Sequence, residues 1–205
     1  MSSVRHLRIL AFGASLTEGY YADGSKFHPY TQRLLELIRP LVADVEIQNA
    51  GISGEAVLSS TMLPRLKQIL SLTKHKFDWV LILAGTNDTL RDQQQARKVF
   101  DQYKLLINEC HEHGARVLAM TLPETVYPKD FPLDFQRQEF NRLLKEELKL
   151  AYSDIIVLDV ERLLPRYSLS PNETEQIWDD EVHFTPQGYD QLGQFIFEAL
   201  KPHLS

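Results

Sequence analysis

Five short apolar runs recur along the chain, and helical patterns fill most of the intervals between them. Leu7 to Phe12 is the first run and stops at Gly13. Val45 to Ile47 is the second and leads into Asn49-Ala50-Gly51. Trp79 to Ala84 (WVLILA) is the strongest and stops at Gly85. Arg116 to Met120 and Ile155 to Val160 complete the set. Each is short, aliphatic and not alternating with polar residues, which is how strands covered on both faces read.

The helical patterns repeat every three to four residues instead. Tyr30 to Ile38 carries Leu34, Leu35, Leu37 and Ile38. Ala96 to His113 places Val99, Tyr103, Leu106, Ile107 and Cys110 on one face. Gly114 follows, where a helix C-terminus favours glycine. Phe135 to Tyr152 repeats the pattern through Phe140, Leu143, Leu144 and Leu148. Thr185-Pro186 supplies a cap and a first-turn proline for a last helix, whose apolar face is Leu192, Phe195, Ile196 and Leu200.

Strand–helix alternation of this kind predicts an α/β fold, a five-stranded parallel sheet with helices on both faces. No repeat, linker or low-complexity stretch interrupts it, so residues 1–205 are expected to form a single domain. The longest irregular segments are Tyr20–Pro29, Leu122–Asp134 and Pro165–His183. In parallel sheets ligands bind beyond the carboxyl ends of the strands, so the loops that follow strands are where chemistry is sought.

Composition narrows the function. The 205 residues are 43% hydrophobic and 24% charged, enough to bury a core without staples. The one cysteine, Cys110, excludes an intrachain disulfide. A net charge of −6 with no offsetting basic cluster argues against nucleic acid as a partner. No apolar run approaches the ~18 residues of a membrane span. Met1-Ser2-Ser3-Val4-Arg5-His6-Leu7-Arg8 leads into a short apolar stretch that Gly13 interrupts, a poor signal peptide. A cytoplasmic protein is the expectation. Oligomeric state is not legible.

Four loop segments carry residues fit for catalysis, each with an ordinary structural reading beside it. Ser15, in Phe12-Gly13-Ala14-Ser15-Leu16-Thr17-Glu18-Gly19, follows the first strand among glycines, where a hydroxyl stands open to a ligand; turn serines look the same. The segment is not a Gly-x-Ser-x-Gly elbow. His183 lies in Trp178-Asp179-Asp180-Glu181-Val182-His183-Phe184-Thr185-Pro186. A serine hydroxyl needs a base within hydrogen-bond reach, and the base needs a carboxylate to fix its tautomer. Asp180, three residues earlier, suits that role better than Asp179; acidic residues also simply favour the start of a helix. Asn87, in Leu83-Ala84-Gly85-Thr86-Asn87-Asp88, offers an amide to the oxygen that gains charge in acyl transfer. It also fits a plain turn. Asn49-Ala50-Gly51-Ile52-Ser53-Gly54-Glu55 offers glycine N–H groups, or a tight turn. Together the four segments occupy the ends of strands one, two and three plus the final loop, positions that can converge.

In this order the four segments resemble the four sequence blocks of the SGNH hydrolases, also called the GDSL esterase/lipase family. The resemblance spans nearly the whole chain. It implies a three-layer α/β/α, flavodoxin-like fold and a serine esterase that needs no cofactor or metal. It implies Ser15 as nucleophile, His183 as base and Asp180 as its partner. The implied oxyanion donors are the backbone N–H groups of Ser15 and Gly54, with Gly51 as the competing assignment, and the Asn87 amide; Asp88 completes the Gly-x-Asn-Asp block. The expected partner is a small-molecule ester. Sugar O-deacetylase, thioesterase and lysophospholipase activities are alternatives within the family. A silent binding module is the alternative outside it. A nucleotide binder is disfavoured, because the first loop lacks Gly-x-Gly-x-x-Gly and a P-loop lysine.

One position departs from the family pattern. Gly-Asp-Ser-Leu reads Gly13-Ala14-Ser15-Leu16 here. The family's aspartate can help order the loop around the serine, so this loop is expected to be held by other means. Cys110-His111-Glu112-His113 reads as a solvated helix end, because its side chains do not share one face. His28 reads as structural, His203 as exposed, and Asp159 as a turn cap. Tyr20, Tyr21, Phe27, Tyr127, Phe131 and Trp178, interleaved with Asp23, Lys26 and Lys129, lie on segments near the nucleophile, either lining a shallow site or packing beneath loops.

Overall fold

The structure, a computed structural model, describes residues 6–42 and 44–204; Met1 to Arg5, the part of the N-terminus read above as a poor leader, lie outside the described residues. Five parallel strands form one sheet: β1 (His6–Gly13), β2 (Asp44–Gly51), β3 (Trp79–Leu83), β4 (Arg116–Met120) and β5 (Ile156–Leu158), in the order β2-β1-β3-β4-β5. The chain steps one way from β1 to β2 and the other way from β2 to β5. Right-handed crossovers then place helices on opposite faces, and the reversal opens a crevice between the ends of β1 and β3. This is the expected three-layer, flavodoxin-like arrangement.

The predicted helices form where the apolar spacing put them: α1 (Tyr30–Ile38), α3 (Ala96–His113), α4 (Phe135–Leu143) and α5 (Pro186–Leu200). A wide π-helical turn at Leu144–Leu148 and a last turn at Lys149–Ala151 prolong α4 to nearly the predicted end. Helix α2 (Met62–Leu72) was not predicted. It buries Met62, Leu66 and Leu70, four residues apart, and Pro64 sits in its first turn, where a missing N–H costs nothing. Helices α1 and α5 pack against each other on one face, while α2, α3 and α4 form a contiguous layer on the other. Between the layers the strand β3 is buried throughout.

Two expectations about strands and loops are corrected. Strand β2 is not covered on both faces. It is an edge strand in which Val45 and Ile47 are half-buried while Asp44, Glu46 and Gln48 are exposed, so its true pattern is alternation. The segment Pro165–His183 is not irregular throughout. Ser170 and Glu173 form a reciprocal capping box that starts a two-turn helix at Pro171–Ile177. Among the described residues no helix is long and apolar enough to cross a membrane.

Candidate active site

Ser15 opens a single helical turn, Ser15–Glu18, immediately after β1. The carbonyl of Ala14 accepts from the N–H groups of Thr17 and Glu18, at 3.0 and 2.9 Å. That leaves the Ser15 side chain on the rim of the crevice, half-buried.

His183 comes from the far end of the chain on a tight loop. Trp178 and Phe184 pair in a short antiparallel bridge and pack ring on ring at 4.6 Å, with Tyr189 against Phe184. Thr185 caps α5 by accepting from Gly188 N–H. The loop that this bridge closes, between Trp178 and Phe184, carries His183 to Ser15 at the end of β1. Its Nε2 lies 2.8 Å from Ser15 Oγ, and its Nδ1 lies 2.7 Å from Asp180 Oδ2. Asp180 Oδ1 accepts from the backbone N–H groups of Val182 and His183, at 2.7 and 2.6 Å. Burial pushes the Asp180 carboxyl up, but the hydrogen bonds from the His183 ring and from these two N–H groups outweigh it and hold the pKa at about 2. Asp179 does not reach the ring. Its carboxylate accepts from Ala22 N–H at 2.8 Å and so ties down the hairpin of Tyr20–Tyr21 and Lys26–Phe27.

The other wall comes from the loops after β2 and β3. Gly54 adopts φ +79°, a conformation glycine enters without strain, and a Cβ there would meet nothing closer than Arg91 Nη1 at 3.7 Å. Among the described residues its N–H donates to no protein acceptor, and neither does that of Ser15. Gly51 is built differently. A Cβ on it would lie 2.2 Å from the Glu18 nitrogen, so this glycine lets the Ser15–Glu18 turn sit directly on β2. Asn87 begins a π-type turn, Asn87–Arg91, and one hydrogen of its amide is given to the Glu55 carbonyl at 2.9 Å. An amide has two hydrogens to donate, so one remains. Asp88 points the opposite way, fully buried, and accepts from Val57 and Leu58 N–H at 2.7 and 2.9 Å. Burial raises its pKa against those bonds.

All five predicted site residues except Asp180 line one pocket of about 280 Å³, together with Tyr20, Leu90 and Val182. Asp180 stands behind His183. Of the six aromatic residues flagged near the nucleophile, only Tyr20 belongs to this wall, its ring 4.4 Å from that of His183. Trp178 is buried under the loop, as the packing reading has it, whereas Tyr127 and Phe131 stack on each other with Phe131 exposed, so neither reading describes that pair.

Several residues that hold the site carried no clear signal in the sequence. Glu18 accepts from Ser53 N–H at 2.8 Å and from the Ser53 hydroxyl. Arg65 and Glu55 form an ion pair beneath the same loop. Glu18 shares a helical turn with Ser15, which was a usable hint; Arg65 lies on α2, which was not foreseen. Two side readings also change. The segment Cys110 to His113 is not simply a solvated helix end: Cys110 is in the core, its thiol pushed up to about 12 by burial, and His113 Nε2 accepts from Phe77 N–H at 3.1 Å. His203 is half-buried against Trp79 and Arg116 rather than exposed. His28 pairs with Asp190, and Asp159 caps a helical turn, as expected.

A family model described as GDSL-like lipase/acylhydrolase matches residues 11–191. No curated protein sequence matches the chain. Solved structures of the same fold do. One is a member of the lipolytic protein G-D-S-L family from Veillonella parvula DSM 2008, 21% identical, with a TM-score of 0.74 over 95% of this chain and 98% of that one. Another is the acetylxylan esterase Axe2 from Geobacillus stearothermophilus, 19% identical, with a TM-score of 0.71 over 98% and 96%. A third is a lipase/acylhydrolase from Enterococcus faecalis, 24% identical, with a TM-score of 0.72 over 97% of each chain.

Proposed function

The chain belongs to the GDSL-like lipase/acylhydrolase family and is a carboxylic ester hydrolase, and from that premise we propose that it cleaves small esters through an acyl-enzyme at Ser15. The observation that carries this reading is the relay Ser15 Oγ–His183 Nε2, His183 Nδ1–Asp180, at 2.8 and 2.7 Å. With Nδ1 donating to Asp180, the neutral imidazole presents the Nε2 lone pair to the serine hydroxyl.

Ser15 Oγ attacks the ester carbonyl carbon while its proton passes to His183 Nε2. The carbonyl π electrons move onto oxygen, and that oxygen is met by the N–H groups of Ser15 and Gly54 and the remaining amide hydrogen of Asn87. Collapse breaks the bond to the alcohol, which leaves with the proton from His183. Water then gives a proton to His183, attacks the acyl-enzyme, and releases the acid as Ser15 recovers its proton. Asp180 stays ionised throughout and stabilises the imidazolium. The choice of Gly54 over Gly51 is supported by its open N–H and its place in the pocket wall.

The 280 Å³ pocket favours a short acyl group. Sugar O-acetyl esters, thioesters and lysophospholipids use the same machinery and are separated by assay. The test of the reading itself is a fluorophosphonate, which phosphonylates an activated serine without regard to the physiological ester. One adduct, on the peptide carrying Ser15, is expected; an adduct on another serine overturns the assignment.

A further inference from the structure

The three groups assigned above to the oxyanion lie on three separate segments, at Ser15, Gly54 and Asn87. Their mutual spacing must be set by something other than the covalent chain. The residue that could have ordered the first segment from within is Ala14, which has no polar side chain.

Arg65 reaches two of these segments directly and the third through Glu55. It rises from α2, its side chain only 17% exposed. Nη1 donates to the Ala50 carbonyl at 2.7 Å, at the end of β2. Nη2 donates to the Gly13 carbonyl at 3.3 Å, two residues before Ser15. Nε donates to Glu55 Oε2 at 3.1 Å, next to Gly54, and the guanidinium plane lies over the Phe12 ring, 4.2 Å from its centre. Glu55 is fixed in turn by the Thr61 hydroxyl, and its carbonyl is the acceptor that anchors Asn87. A planar fork with five donors can hold several acceptors at fixed angles; a lysine ammonium cannot. Every acceptor that Arg65 contacts therefore leads within two hydrogen bonds or two residues to an oxyanion donor, except Ala50, which bounds the same loop.

We propose that Arg65, paired with Glu55, is a positioning residue that sets the spacing of the three oxyanion donors, and so does in this chain what an ordering side chain at position 14 does not. It touches neither the nucleophile nor the pocket. The proposal rests on the assignment of Ser15, Gly54 and Asn87 made above.

Arg65→Lys keeps the charge beside Glu55 and Phe12 but not the fork. It is expected to retain the thermal midpoint and far-ultraviolet spectrum, still take one phosphonate at Ser15, and lose kcat on the order of 10²-fold, the loss typical of a disturbed oxyanion donor, with KM within about threefold. Arg65→Met is expected to lose at least as much kcat if it folds. The decisive measurement is coupling. In an Asn87→Ala background the same Arg65→Lys change should cost less than about threefold, because the hole it maintains is already broken. A wild-type kcat in Arg65→Lys, a loss confined to KM, or an undiminished loss in the Asn87→Ala background overturns the proposal. If Ser15→Ala stays active, the assignment of the site has failed instead, and the two failures are told apart by that variant alone.

Discussion

His183 Nε2 lies 2.8 Å from Ser15 Oγ, although 168 residues separate the two in sequence. The contact joins the turn after the first strand to the loop before the last helix, and in the mechanism proposed above it supplies the serine's base. Ser15→Ala should therefore fold as the wild type does and lose ester hydrolysis by several orders of magnitude. The same variant should take no fluorophosphonate. A variant with full activity would place the nucleophile elsewhere.

Asn87→Ala removes an amide that both faces the pocket and ties its turn to the Glu55 carbonyl. Loss of one donor to a developing oxyanion lowers kcat by about 10²–10³. KM should change little, because the charge appears only in the transition state. A change in KM alone would make Asn87 a ground-state binding residue.

The two glycines of the second loop should behave differently. Gly54→Ala places a side chain where there is room, so its cost is the left-handed backbone, roughly 1–2 kcal/mol. The protein should stay folded, with a thermal midpoint a few degrees lower, and lose kcat as its N–H is displaced. Gly51→Ala drives a Cβ into the backbone of Glu18. It should lower the yield of folded protein before any kinetic effect is read. If Gly51→Ala folds well and loses kcat while Gly54→Ala keeps it, the donor is Gly51.

The pH dependence follows from Asp180. A carboxyl held at about 2 in the folded protein supports the fold fully above the ordinary carboxylate range, and that support fades as pH falls through that range and is gone below about 2. Asp180 therefore does not change charge between about pH 5 and 8, where histidines titrate. A rising limb of kcat/KM in this range therefore does not report the ionisation of Asp180. Asp180→Asn removes the charge that favours the imidazolium, so the limb should move to lower pH while kcat falls on the order of 10³–10⁴-fold. Asp179→Asn weakens only the hold on the hairpin through Ala22. It should cost less than about tenfold and leave the limb in place. The reverse ranking would exchange the two carboxylates.

Much of this architecture was legible because local signals agreed with the tertiary outcome. The run WVLILA is buried at every strand position, and the spacing through Val99, Tyr103, Leu106 and Cys110 gave α3 its full length. The convergence of Ser15, Asp180 and His183 was legible for another reason: Asp-x-x-His alone also reads as the start of a helix, but the four loop segments in their order along the chain resemble a family pattern that brings these residues together. What escaped was set by contacts distant in sequence. The edge position of β2 depends on which strands pair with it, and Val45 and Ile47 alone do not reveal that. Helix α2 is the exception: Met62, Leu63, Leu66, Ile69 and Leu70 have helical spacing, but the segment follows Ser59-Ser60-Thr61 and carries Pro64 in its first turn, so it reads as the continuation of a loop. With α2 unseen, the Arg65–Glu55 pair could not be read either. The aromatic residues misled because proximity in sequence to a loop does not say which side of the loop a ring occupies; Trp178 lies beneath and only Tyr20 faces the pocket.

The last prediction concerns acyl length. Each methylene covered by protein contributes about 0.8 kcal/mol, or roughly fourfold in kcat/KM. That gain continues only while protein covers the chain. The pocket beside Ser15 holds about 280 Å³ and ends at Ser53, Gly54 and Arg91. Beside them lies a groove of about 850 Å³, lined by Ile52, Ala56 and Leu58 as well as by Arg91, Asp92 and Lys98. Arg91, shared by pocket and groove, is held in an exposed ion pair with Asp92 at 2.8 Å, and an acyl chain laid along that pair gains no apolar cover from it. The gain per methylene should therefore stop at the pocket's edge. On p-nitrophenyl esters kcat/KM should be highest from acetyl to hexanoyl, near the two-to-six-carbon range, and then level off or fall. The series must be measured below the micelle threshold, so that detergent-like aggregation does not mimic a falling rate. A maximum at dodecanoyl or longer would mean that the groove opens to an acyl chain despite its charged residues, and would turn the reading toward lysophospholipids.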